Sequence, residues 1–171
     1  MILVRIGITD RSTPIIKLPN YQIAKLFARQ LRKNFWTTLG QYMSPLPGRS
    51  GEVVNWLNYK TGVKNLYFRM DVGDGQASIA IELHHADPAE RHLLFEKLRA
   101  LRPLLENTLQ ETWDWQEDVV DEDGETISRI GTRIENVNLS NTADWPSIIS
   151  FLKPRMLSLD EFWEQVRDGF Y

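Results

Sequence analysis

The sequence predicts an α+β domain: an antiparallel or mixed sheet with helices mainly on one face. Three observations carry that prediction. Residues 53–84 alternate apolar and polar side chains through two turns whose registers agree. Asp87-Pro88-Ala89-Glu90 is a strong helix start. Residues 113–134 alternate again around Asp123-Gly124.

Ile2, Val4, Ile6 and Ile8 alternate with other residues in a strand-like pattern, and Thr13-Pro14 and Leu18-Pro19 punctuate the chain before the first helix. Residues 1–20 are therefore set apart as an extension, strand-like or loose, before a single domain over 21–171. A helix capped by Asn20 runs to about Leu39, with Ile23, Phe27, Leu31 and Phe35 as its buried stripe. Lys25, Arg29, Arg32 and Lys33 gather on its other side.

Strands Val53–Lys60 and Val63–Val72 are expected to pair around Thr61-Gly62, with Trp56 opposite Tyr67. The turn Gly73-Asp74-Gly75-Gln76 leads into Ala77–His84, setting Met70 opposite Ile79, Phe68 opposite Ile81 and Leu66 opposite Leu83. The helix from Asp87 buries Leu94, Leu98, Leu101 and Leu105, and Pro103 should kink or divide it. The second hairpin, Trp113–Val120 with Glu125–Ile134, places Asp118 opposite Arg129 and Asp114 opposite Arg133. Two helical pieces close the chain, one ending before Pro154 and one beginning at Ser158. The predicted order is α-βββ-α-ββ-α-α: a three-stranded meander plus a second hairpin.

Composition narrows the chemistry. The 171 residues are 42% hydrophobic and 25% charged, as in an ordinary globular domain. With no cysteine, disulfides, thiol catalysis and thiolate metal sites are excluded. No apolar run reaches the roughly 18 residues of a membrane span, so a cytoplasmic protein with no membrane contact is expected. Charge is uneven. Residues 1–85 hold 11 Lys/Arg against 5 Asp/Glu, and residues 86–171 hold 9 against 18. A basic face for nucleic acid, or a dipolar molecule that associates head to tail, would both produce that split.

Four constellations merit weighing. The polar face of the meander shows Trp56, Asn58, Tyr67, Arg69, Asp71, Glu82 and His84. Aromatic rings beside cations can stack bases, or form a protein interface. The plainer alternative is a half-buried face covered by the C-terminal helices, with Arg69 and Glu82 paired diagonally. The stripe Lys25, Arg29, Arg32, Lys33 can line a phosphate backbone, or be only the solvated side of an amphipathic helix. His84 and His85 point to opposite faces of a strand and, with Asp87 and His92, make a poor metal set. Glu82-Leu83-His84 stands where a restriction-endonuclease-like fold carries Glu-x-Lys. Its nearest second-strand acid, Asp71, falls opposite Ser78, so that metal site is incomplete. There is no Gly-rich phosphate loop and no Gly-x-Ser-x-Gly elbow. No metal or cofactor is expected.

Several longer words resemble a known family. They are Phe35-Trp36-Thr37-Thr38-Leu39-Gly40-Gln41-Tyr42-Met43, Asn55-Trp56-Leu57-Asn58-Tyr59-Lys60-Thr61-Gly62-Val63 and Tyr67-Phe68-Arg69-Met70-Asp71. The run from Asp144-Trp145-Pro146 through Phe151-Leu152-Lys153-Pro154-Arg155 to Leu159-Asp160-Glu161-Phe162-Trp163 continues them. Together they resemble the bacterial domain-of-unknown-function 4268 family from about residue 21 to the end. The resemblance transfers no catalytic residues. It implies an accessory role near DNA metabolism or defence, because larger relatives carry the domain beside nuclease-like modules.

The expectation is a non-catalytic binding domain with nucleic acid as its ligand, using Trp56, Asn58, Tyr67, Arg69, Glu82, His84 and the first-helix cations. The alternatives are a protein-interaction or self-associating domain, and a degenerate metal-dependent nuclease around Glu82.

Overall fold

The computed structural model describes residues 2–5 and 15–171. Strands β1 (Ile2–Arg5) and β2 (Ile15–Leu18) pair antiparallel as a separate ribbon, Ile2 opposite Leu18. The strand-like reading thus holds for Ile2–Arg5, while Ile6 and Ile8 lie outside the described residues. Helix α1 (Asn20–Met43) comes directly after. Its 24 residues make a rod about 36 Å long. The main core cluster takes Phe35, Leu39 and Met43 from its second half. Of the expected buried stripe, Ile23 near the start of the helix and Phe35 are buried and Leu31 packs against the core, whereas Phe27 is 62% exposed.

The main sheet holds β3 (Leu66–Val72), β4 (Asp74–Leu83), β5 (Asp114–Val120) and β6 (Thr126–Asn138) in the order β3-β4-β6-β5, all antiparallel. The register of β3 on β4 is the one read from the sequence: Leu66 faces Leu83, Phe68 faces Ile81 and Met70 faces Ile79. The second hairpin joins the same sheet through β6, which lies against β4 with Ile130 opposite Ile81.

The expected first strand of the meander, Val53–Lys60, does not form. Val53 makes only an isolated bridge to Pro47, and Trp56–Asn58 is a 3-10 turn. The cause is what the large side chains reach. Trp56 is 3% exposed and its indole N–H donates to the Leu46 carbonyl at 3.0 Å. Tyr59, half-buried, packs on Phe68 at 5.0 Å between ring centres, against the same core. Two inward residues spaced by three favour a turn of helix over a strand of period two. Asn55 caps the turn by accepting from Asn58 N–H.

Helices α2 (Pro88–Ala100) and α3 (Arg102–Leu109) start and break where the sequence predicts. Asp87 caps α2 by accepting from Ala89 N–H, and Pro103 sits in the first turn of α3. The β5–β6 register departs from expectation. A bulge between Gln116 and Val119 places Gln116 opposite Arg129 and Asp114 opposite Gly131. Asp118 takes a φ of 53°, and its carboxylate accepts from Arg91 Nε at 2.9 Å and Nη2 at 2.7 Å. A guanidinium only 3% exposed needs such a counter-charge, and that need outweighs a surface cross-strand pair.

The chain closes with α4 (Trp145–Val166), one helix through Pro154 rather than two pieces. A proline inside a helix costs about 3 kcal/mol. Here Ile148, Leu152, Met156, Leu159 and Trp163 bury one continuous stripe against the sheet, which more than offsets it. Arg155 also ties the middle of α4 to Glu111 through two hydrogen bonds of 2.7 Å. Burial raises the Glu111 pKa, but the bonds from Arg155 and Trp113 outweigh it and hold the carboxyl below its usual value. Among the described residues no helix is long and apolar enough to cross a membrane.

Candidate functional site

Strand alternation assigns the two faces of the sheet. Leu66, Phe68, Val72, Ala77, Ile79, Ile81, Leu83 and Ile130 point toward the helices and are buried. The opposite face carries Tyr67, Arg69 and Asp71 from β3, Glu82 from β4, Arg129 and Arg133 from β6, and Gln116 from β5. Arg69, Asp71, Gln116 and Arg133 are exposed. The C-terminal helix packs on the other side, so it does not cover this face. The centre of the face is flat because Gly131 lies against β4, where a Cβ would stand 2.7 Å from the Ala80 Cβ and 2.8 Å from the Ile79 carbonyl oxygen.

Two side-chain groups organise the open face. The Arg69 guanidinium lies over the Tyr67 ring, 4.5 Å from its centre, and the ring meets His84 edge-on at 5.3 Å. Glu82 sits directly opposite Arg129 in the ladder, accepts from its Nε at 3.1 Å, and pairs with His84 Nε2 at 2.8 Å. The expected diagonal pairing of Arg69 with Glu82 is replaced by these contacts. His84, Asp121 and Glu125 bring ligand atoms within 4.8 Å of one another. Asp71 faces Ser78, as the sequence register has it.

Beside the edge strand β3 lies a groove of about 720 Å3. Loop residues Leu57–Lys64 and Trp36 of α1 form one side, and β3 from Leu66 to Met70 the other. The lining holds three cations, Lys60, Lys64 and Arg69, and no Asp or Glu. Lys60, Lys64 and Arg69 are all exposed. On α1, Lys25, Arg29, Arg32 and Trp36 fall four, three and four residues apart and so share one side of the helix. Arg32 joins that row to the sheet: its Nη2 donates to the Val72 carbonyl at 2.9 Å, and Nη1 stands 3.9 Å from Asp71.

The loop wall is fastened from α4. Asp160, 2% exposed, accepts from the Tyr59 hydroxyl at 2.6 Å and from Arg49 N–H at 2.7 Å. Burial and that carboxylate push the Tyr59 hydroxyl far above its usual pKa, so it remains a donor wherever Asp160 is ionised. The Thr61 carbonyl accepts from Trp163 Nε1 at 2.9 Å and from the Tyr171 hydroxyl at 3.1 Å. Gly62 comes next with a φ of 80°, and a Cβ there would meet the Tyr171 oxygen at 2.7 Å. Only glycine fits both demands.

The structure therefore brings together part of the predicted set. Asn58, Tyr67 and Arg69 line the groove; Glu82 and His84 lie beside it on the open face; Arg32 and the exposed Lys25, Arg29 and Lys33 lead toward it along α1. Trp56 is removed from the set, since its ring is in the core and its N–H is used internally. Trp36, Lys60 and Lys64 were not singled out from sequence. Their meeting depends on how α1 and the loop dock beside β3, which local periodicity does not encode.

No curated protein and no solved structure matches the chain. The sequence pattern of the domain-of-unknown-function 4268 family (DUF4268) does match, over residues 31–167. That span opens where α1 reaches the core and leaves out β1, β2 and the first half of α1. Covering well over half of the chain, the match establishes that this protein belongs to the DUF4268 family.

Proposed function

We propose that this domain binds nucleic acid without acting on it chemically, along a track from the α1 cations into the groove beside β3. One observation carries the reading: the groove lining contains Lys60, Lys64 and Arg69 and no carboxylate, although the chain as a whole has a net charge of −3. A cationic cleft in an acidic protein concentrates positive potential where a polyanion would lie. Trp36 ends the row of α1 cations and enters the groove, so helix and groove form one surface. Bound phosphates would release counterions, making affinity fall with salt.

Charge reversal tests this. The double variant Arg29→Glu/Lys64→Glu should bind DNA about tenfold or more weakly in low salt, with a slope against log salt shallower by about 1 per lost phosphate contact. Fluorescence anisotropy with labelled DNA reads both. Affinity and slope equal to those of the parent chain would end the proposal.

A specific observation favours a second reading, self-association through α1. Tyr21 is 77% exposed, Phe27 62% and Leu26 46%, all on the first half of α1. If copies pair there, Phe27→Glu should lower the solution mass measured by light scattering to that of one chain. A parent chain already at single-chain mass at high concentration rules the reading out.

A further inference from the structure

We infer that the groove takes a nucleic-acid strand with unpaired bases rather than a duplex; the inference rests on the reading above and narrows it. Its first support is the Arg69–Tyr67 stack. The guanidinium lies 4.5 Å above the ring centre, and His84 meets the ring edge-on. Tyr67 thus holds the guanidinium over its ring, while Arg69 remains exposed. A guanidinium plane held in this way is a surface on which a base can stack. A duplex keeps its base faces inside its own stack and would meet Arg69 only as a charge.

The second support is the free edge of β3. His84 N–H donates to the Asn65 carbonyl at 2.8 Å, and Gly73 N–H to the Gln76 carbonyl at 3.0 Å. Those bonds set the parity: odd-numbered residues of β3 bond to β4, and even-numbered residues turn N–H and C=O outward. At the Leu66 end both outward groups are used, and at the Val72 end the carbonyl is. Leu66 N–H donates to the Val63 carbonyl, the Leu66 carbonyl accepts from Thr61 Oγ1 at 2.8 Å, and Arg32 donates to the Val72 carbonyl. Between them, the outward N–H and C=O of Phe68 and Met70 have no partner among the described residues, and both residues line the groove. Alternating donors and acceptors beside a stacking surface match the pairing edge of a splayed base, which a duplex conceals. The same edge could template an extended peptide, which the three cations would require to be acidic.

The experiment compares the parent chain with Arg69→Lys, which keeps the charge and removes the plane. Anisotropy is measured with a labelled DNA strand of about 16 nucleotides, with its duplex, and with poly-glutamate as competitor at matched charge. The expected result is tighter binding of the single strand than of the duplex. Arg69→Lys should weaken the single strand about tenfold and the duplex far less, with the salt slope kept because the charge is kept. Equal affinity for the two forms, or a lysine variant that holds the single strand like the parent, overturns the inference and leaves the charge-driven reading standing. Efficient displacement by poly-glutamate overturns it in favour of an acidic peptide. Binding of neither DNA in low salt removes both.

Discussion

Trp163→Ala should destabilise the domain by about 3–5 kcal/mol, a large share of the 5–15 kcal/mol that holds a typical domain folded. Three losses add at this one position. The indole is 1% exposed, so its whole surface is lost from the core and a cavity remains. It packs edge-on against Phe68, with ring centres 5.8 Å apart, and at a tilt against Phe170 at 5.0 Å. Its N–H also donates to the Thr61 carbonyl at 2.9 Å. Trp163→Phe separates the terms. It keeps a ring in the core and removes the donor, while the Tyr171 hydroxyl still serves Thr61. That variant should cost only about 1 kcal/mol. Urea unfolding of the three chains measures both differences. An alanine variant within about 1 kcal/mol of the parent would contradict this account of the core.

Asp160→Ala should cost about 3 kcal/mol and loosen the groove wall more than the rest of the fold. The carboxylate lies in the core side of α4 and holds two donors from the loop, Tyr59 and the Arg49 backbone. Alanine leaves both without a partner. Asparagine keeps one acceptor but turns an amide N–H2 toward the other donor, so Asp160→Asn should fall between. The local effect has its own readout. Arg49 and Lys60 flank the loop segment that Asp160 ties down, and trypsin should cut there faster in the alanine variant than at sites in α2 or α4. Parent-like stability together with parent-like cleavage would show that the loop is held by its apolar contacts alone.

These two side chains mark the boundary of what could be read from the sequence. The β3–β4 pairing was legible because apolar residues recur every second position on both sides of a short glycine turn, and a slip of one would expose all of them. The α2 start and the α2–α3 break were legible because Asp87, Pro88 and Pro103 act within one turn of themselves. Residues 53–60 misled, because Trp56 and Tyr59 are claimed by Leu46 and Asp160, the latter 101 residues away from Tyr59. Asp118 misled because its partner, Arg91, lies on a different element. Pro154 misled because a local penalty met a longer apolar stripe.

The sequence by itself determined the α+β class, the family, the inner face of β3 and β4, and the cations of α1, since each depends on neighbours in the chain or on long matching words. Only the tertiary structure decided that the helices leave the Tyr67–Arg69 face open, that Trp56 lies inside and Trp36 lines a groove, and that Lys60, Lys64 and Arg69 meet there without an acid. Such juxtapositions are settled by packing across the fold, where burial and charge compensation act between residues that no local pattern relates.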